Sequence, residues 1–349
     1  MIMKALVLTE KNVLEQKQVP IPEIGPAEVL IKVAYAGICA TDKEIITGKL
    51  PSPLPLIPGH EISGVVVQKG DLVKGLEVGD RVVVDPAVPC GECRFCRANK
   101  PEFCQIYREM GINVDGGWAE YVKALSRCTH KIPDVMGMKS AAIFEPMTCP
   151  FGAVDAASVN PGEQVLIIGD GAAALYFTQI VRMMGAASNT VVYKREDRVG
   201  LLKSLGAEVL IGGDEVSKLD KSHPVQSQGG FDLVIDAVGL SETVQSAVQY
   251  ARIGGRIVLY GFKDECTDNF PHREIILKNL TIFGRTNSPS VWPRAIECVK
   301  SGLITLDPFV EKVLNPEDVP SFLDDFDRFA GIKAVVKWSD SSNDKGDIE

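Results

Sequence analysis

Between positions 90 and 104 the chain reads CGECRFCRANKPEFC, four cysteines in the spacing C-x2-C-x2-C-x7-C. A loop this short carries too few apolar residues to fold around a core of its own, whereas four thiolates can close a tetrahedral cage around one zinc ion. Metal binding can contribute on the order of 10 kcal/mol to such a segment. The spacing therefore assigns Cys90, Cys93, Cys96 and Cys104 to a zinc site. Because all four ligands are thiolates, the site leaves no position for substrate, and its role is architectural. Four unrelated thiols, a redox loop and an iron–sulfur cluster are the competing readings; ferredoxin runs are spaced differently.

Nine cysteines are present in all, and compartment decides what the others mean. The opening MIMKALVLTE alternates like a strand and lacks the basic stretch, apolar core and cleavage site of a leader. No apolar run nears the roughly 20 residues that span a bilayer. The expectation is a cytoplasmic protein with reduced thiols, in which Cys128, Cys149, Cys266 and Cys298 are small buried residues. Lys and Arg number 37 against 46 Asp and Glu, a net charge of −9. That balance argues against nucleic acid, including binding through a zinc ribbon, and against an anionic membrane, and it favours a small-molecule partner. With only four histidines, His60, His130, His223 and His272, metal chemistry must lean on thiolate and carboxylate.

At 349 residues the chain exceeds most single cores, so two domains are expected. Up to about residue 150, short alternating runs such as EVLIKVAYAG and GDRVVVDPAV are separated by turn residues, the pattern of a mostly β domain. From about 155, apolar strands (QVLIIG, TVVYK, FDLVIDAVG) alternate with helical stretches, the sign of a parallel sheet covered by helices. A last strand, IKAVVKW, returns to the first domain. The fold class is thus α/β, with 1–152 and 286–349 as a mostly β catalytic domain and 153–285 as a doubly wound dinucleotide-binding domain; 340–349 reads as a disordered tail.

Directly after QVLII comes Gly169-Asp170-Gly171-Ala172-Ala173-Ala174, a G-x-G-x-x-A turn opening a helix. In that context Gly169 turns the chain, Gly171 admits a pyrophosphate and Ala174 allows close helix packing. Asp170 is a departure, because a carboxylate in this turn repels a diphosphate unless it points away. The next strand should end in the Asp or Glu that binds the ribose hydroxyls of NAD. It ends in Tyr193, Lys194 and Arg195 instead, and two cations suit the 2'-phosphate of NADP. NADP is the expected cofactor and NAD the alternative.

Dispersed residues complete the pattern: Cys39 in GICATD, His60 and Glu61 in PGHEISG, Glu145 in FEPMTCP. With the cysteine lobe, DGGWAEYV at 115–122 and the Glu-Pro at 145–146, they resemble the zinc-containing medium-chain dehydrogenases, in particular the sorbitol (polyol) and threonine branch. The resemblance implies a GroES-like catalytic domain beside a Rossmann domain and two zincs per chain. It implies that Cys39 and His60 bind a catalytic zinc, that Glu145 does so directly or through water, and that Glu61 lies near enough to exchange. A shifted alignment would put Cys149 in place of Glu145; the Glu-Pro placement favours Glu145. Thr41 resembles the hydroxyl that relays the alcohol proton, and Asp42 the carboxylate that orients a zinc-bound histidine. Val238, Gly239 and Gly261 fall where the family wraps the nicotinamide. Arg285 and Trp292-Pro293 resemble elements near substrate, and Trp118 is a candidate pocket residue.

Such a protein transfers a hydride between a secondary alcohol and NAD(P). Ile45, where sorbitol enzymes tend to have an aromatic residue, and the long segment TNSPSV before Trp292 depart from the sorbitol pattern. Polyols, cyclitols and diols stay open, with threonine or butanediol as alternatives. A zinc-stabilised nucleotide-binding regulator without catalysis is the reading from another class. The family also implies a homodimer or homotetramer, with LTIFGR at the subunit contact.

Overall fold

The computed structural model describes residues 1–213, 219, 225, 229–263 and 266–339. His223 and the tail at 340–349 lie outside the described residues. Contacts group the chain into two compact units: Met1–Pro146 with the segment from Trp292 onward, and Met147–Val291. The first division falls near the start of the helix Glu145–Ala157.

The first unit is built around a seven-stranded sheet whose hub is Glu28–Ile38. This strand is rich in Val, Ile and Tyr, residues whose branched or flat side chains suit a pleated surface buried on both faces. It pairs antiparallel with Ile62–Lys69 and with Tyr121–Leu125, and its far end pairs with Lys333–Lys337 from the end of the chain. Val335 lies opposite Gly37 and Ala334 opposite Ile38. The hairpin Ile2–Glu10 and Val13–Pro20 packs on the same core through Leu6 and Leu8.

In the second unit six strands run parallel in the spatial order Val209–Gly212, Ser188–Tyr193, Gln164–Ile168, Phe231–Asp236, Ala251–Leu259, Thr281–Gly284. Numbered within the unit this is 3-2-1-4-5-6, the Rossmann order, whose reversal between the first and fourth strands creates the crevice in which dinucleotides bind. The central strands are apolar on both faces, as a sheet covered by helices requires. The helix Ala172–Met183 buries Leu175, Phe177, Ile180 and Val181.

Candidate active site and metal centres

Cys39 directly follows the hub strand and is the N-cap of the helix Ala40–Ile46. Its backbone N–H donates to Asp42 Oδ2 at 2.8 Å, and the other carboxylate oxygen of Asp42 lies 3.4 Å from Nδ1 of His60. One buried aspartate therefore fixes both the thiol-bearing turn and the imidazole. Burial opposes a charge on His60, but Asp42 and Cys39 together hold its pKa well above the usual value. The hydroxyl of Thr41 sits 3.6 Å from the Cys39 sulfur.

The PGHE segment is held from beneath. Gly117 N–H donates to the Gly59 carbonyl and Gly116 N–H to that of Ile57, both at 2.7 Å, while Asp115 accepts from the Ile57 N–H at 3.0 Å. Gly59 has φ +91°, and a Cβ there would lie 2.2 Å from the Trp118 ring. Trp118 itself is fully buried and donates its indole N–H to the Gly37 carbonyl at 3.2 Å. The expectation that Trp118 lines a substrate pocket is thereby corrected: its side chain is core, supporting the ligand loop from the protein side. The run DGGW exists because close backbone approach here leaves no room for side chains.

Cys39, His60 and Glu61 bring one ligand atom each to within 4.8 Å of one another. Glu61 is fully buried; one carboxylate oxygen is paired with Lys333, while Oε2 is buried with no hydrogen-bond partner among the described residues. A Cβ on Gly37 would lie 2.0 Å from that same oxygen, so only glycine fits opposite it. Glu145 is outside this tight group but electrostatically coupled to it. Burial pushes its carboxyl up to about 8 against the attraction of His60, with Glu61 and Glu109 adding repulsion and Lys333 opposing it. A thiol, an imidazole, an unsatisfied carboxylate oxygen and a destabilised second carboxylate form a donor set that fits a zinc-like divalent cation with a position left open. Cys149, one turn further along the helix that begins at Glu145, has its sulfur 4.0 Å from Asn287 Oδ1.

The four cysteines of the lobe also converge to within 4.8 Å, and none is in a disulfide. Backbone N–H groups of Glu92 and Cys93 donate to Cys90 Sγ at 3.4 and 3.3 Å, and that of Cys90 to Cys104 Sγ at 3.3 Å. Such donors pull the Cys93 thiol down to about 6, whereas desolvation and its thiol neighbours push Cys96 up to about 12. Four thiolates this close repel without a cation among them, which is what a dication supplies. Of the remaining cysteines, Cys128 is buried as expected, but Cys266 is exposed and Cys149 and Cys298 are intermediate.

In the second unit Gly169 adopts φ +124°, and a Cβ on Gly171 would meet open space. Ala174 lies in the first turn of the helix Ala172–Met183 and is buried. Asp170 turns towards the end of the neighbouring strand, its Oδ2 accepting the N–H groups of Lys194 and Arg195, each at 2.7 Å. The Arg195 guanidinium is in turn bidentate on Asp197, and Tyr193 donates to Glu196 at 3.1 Å. Gly239, at φ +77°, and Gly261 are in backbone contact, so that a Cβ on either would fall 2.1 Å from the other's segment. Val238 and Gly239 both donate their N–H to Asp236 Oδ1, at 3.0 and 3.1 Å, a carboxylate buried beneath the loop. Arg285 is partly buried just past the edge strand Thr281–Gly284.

One participant was missed in the sequence. Lys333 is a buried charge in an apolar strand, and the lone charge inside IKAVV was the available signal; Asp236, the first residue of the DAVG run read as wrapping the nicotinamide, is a second buried charge whose part beneath that loop the run alone did not give.

Residues 25–134 match the family model of the alcohol dehydrogenase GroES-like domain, and 173–301 that of zinc-binding dehydrogenase. D-arabinitol dehydrogenase 1 of Uromyces fabae is 30% identical over 91% of this chain and 92% of that protein. Sorbitol dehydrogenase of Bacillus subtilis is 29% identical over 86% of this chain and 87% of its own. Among solved structures, a zinc-binding dehydrogenase from Sinorhizobium meliloti 1021 bound to NADP superposes with TM-score 0.90 at 30% identity, covering 97% of this chain and 99% of that one. An alcohol dehydrogenase from Escherichia coli CFT073 complexed with NADH gives 0.88 at 27%, covering 96% and 99%.

Fold and matches together define a GroES-like domain joined to a Rossmann domain. The chain belongs to the zinc-type medium-chain dehydrogenases, NAD(P)-dependent alcohol dehydrogenases, in their polyol branch. No helix among the described residues is long and apolar enough to cross a membrane.

Proposed function

We propose that this protein moves a hydride between the secondary carbinol carbon of a polyol, cyclitol or diol and a nicotinamide dinucleotide, with NADP favoured over NAD. The convergence of Cys39, His60 and Glu61, with Glu145 held as a destabilised buried carboxyl, carries the reading. When bound, zinc polarises the alcohol oxygen and the nicotinamide accepts the hydride. Cys39 and His60 hold the metal, and Glu145 completes the set directly or through water. Asp42 favours the proton on Nδ1 of His60, leaving Nε2 as the donor. Thr41 takes the proton of the substrate hydroxyl at Oγ1 and passes it towards solvent. Cys90, Cys93, Cys96 and Cys104 hold a second zinc that orders their loop.

In the second unit Gly169, Gly171 and Ala174 receive the pyrophosphate at the helix N-terminus, and Val238, Gly239 and Gly261 wrap the nicotinamide half. Lys194 and Arg195 favour the 2'-phosphate, a reading supported by the NADP-bound relative. Arg285 is the proposed substrate contact. The chain is proposed to form a dimer or tetramer through the Thr281–Gly284 edge.

Metal analysis of the purified protein combined with a polyol and ketose panel, run with both cofactors and with chelator, tests the proposal. Two zincs per chain and chelator-sensitive turnover of polyols, faster with NADP, are expected. A fully metallated protein inactive on every alcohol and ketone, yet binding dinucleotide, would instead identify a regulator.

A further inference from the structure

The second strand of the Rossmann unit, Ser188–Tyr193, carries no carboxylate at its end, yet a carboxylate stands there. It comes from Asp170 in the glycine turn, whose Oδ2 receives the successive backbone N–H groups of Lys194 and Arg195, both at 2.7 Å. Two consecutive amides converging on one oxygen make an anion-binding concavity. The end of this strand is also where dinucleotide folds sort the ribose 2'-hydroxyl from the 2'-phosphate. We propose that Asp170 fills this anion position from within the chain and so sets the discrimination between the two nicotinamide dinucleotides, tempering the preference that the adjacent cations would otherwise give NADP. The inference rests on the reading of this unit as a nicotinamide dinucleotide site.

The surrounding charges support it. Arg195, one of the two cations expected to meet a phosphate, commits its guanidinium to Asp197, with Nε at 3.1 Å and Nη2 at 2.6 Å from the two carboxylate oxygens. Glu196 adds a further negative charge, held 3.1 Å from the Tyr193 hydroxyl. Lys194 has an exposed side chain. A phosphate dianion arriving at the amides of 194 and 195 meets the Asp170 carboxylate already seated on them, so its binding requires either displacement of that carboxylate or acceptance of like charges in close approach. A ribose hydroxyl carries no such conflict, because it can donate a hydrogen bond to the carboxylate.

Asp170→Asn tests this, since the amide oxygen can still accept both N–H groups while the charge is gone. The zinc-loaded protein and the variant are titrated at equilibrium with NADPH and with NADH, without substrate, following nicotinamide fluorescence. The substitution is expected to tighten NADPH about tenfold, the effect of removing one contact repulsion with a dianion, and to leave NADH within about twofold. If thermal melting shows that this variant does not fold, Asp170→Ser, which retains an acceptor oxygen, replaces it. Unchanged NADPH binding, parallel weakening of both cofactors, or a ratio that shifts only through weaker NADH would overturn the assignment. Tighter wild-type binding of NADH together with the NADPH response in the variant sinks the proposed NADP preference and leaves Asp170 in its role. Binding of neither dinucleotide by either protein sinks both.

Discussion

The pairing of Lys333 with Glu61 is the most consequential single contact near the proposed catalytic metal. Both side chains are buried; Lys333 also donates to the Ile38 carbonyl at 3.1 Å, and the attraction of Glu61, Cys39 and Glu145 outweighs burial to raise its pKa. Removing one partner of a buried pair strands the other charge, at a cost of about 3 to 5 kcal/mol, whereas removing both is far closer to neutral. Lys333→Met should therefore lower the urea midpoint of the metal-free protein strongly, and adding Glu61→Gln should restore much of it. Equal losses in the single and double variants would show that the pair is not coupled. No local pattern exposes this contact, because its two residues are 272 positions apart in the chain. The cysteine lobe was legible for the opposite reason, all four ligands lying within one short spacing. Trp118 fell between: alternation places it on a strand-like segment but does not say whether the space beside its ring is pocket or, as here, the backbone of Gly59.

Among the elements, the parallel sheet and helix cover of the second unit were readable from apolar runs alternating with helical stretches, since each strand must be apolar on both faces to lie in such a sheet; the spatial order of its strands was not, because apolar runs carry no record of which strands pair. Less readable was how the helix Trp292–Lys300 packs within the first unit. It does so through Trp292, stacked on His130 of the strand Thr129–Lys131 with ring centroids 5.1 Å apart and in contact with Phe144 at 5.2 Å. The tryptophan of the Trp-Pro element is a buried anchor. Burial lowers the His130 pKa from 6.5 to about 4. An unfolded chain thus takes up a proton at this histidine below about 6.5 while the folded one resists until about 4, so its contribution is complete above the first value and lost as pH falls through the second. The shift corresponds to at most about 3 kcal/mol. Histidine at 130 should give a falling urea midpoint across that acid window, and His130→Phe, which keeps the stack without a titrating group, should flatten the fall. An identical pH profile in the variant would assign the acid sensitivity elsewhere.

At the scale of the whole molecule, the parallel sheet ends in Thr281–Gly284, which pairs with Ala251–Leu259 on one side only among the described residues. An open edge presents a row of backbone donors and acceptors that invites another strand, and monomeric proteins blunt such edges with charge or a short covering element. Here the flanking helix His272–Leu277 does the reverse, leaving Ile276 and Leu277 exposed at 69% and 65%. Two large aliphatic side chains beside an unblocked strand favour a contact in which the same patch meets itself across a two-fold axis. The sequence run LTIFGR pointed to this edge through its apolar character, but the exposed pair lies just before it in HREIILKN and becomes visible only once the helix is seen to turn that face outward. Light scattering should therefore give a mass of two or four chains. Ile276→Glu with Leu277→Glu should bring it to that of one, because burying two carboxylates against their own copies adds desolvation and like-charge repulsion to the lost apolar area. A monomeric wild type would remove the sheet edge from consideration, while an oligomer indifferent to the double substitution would move the contact to another surface.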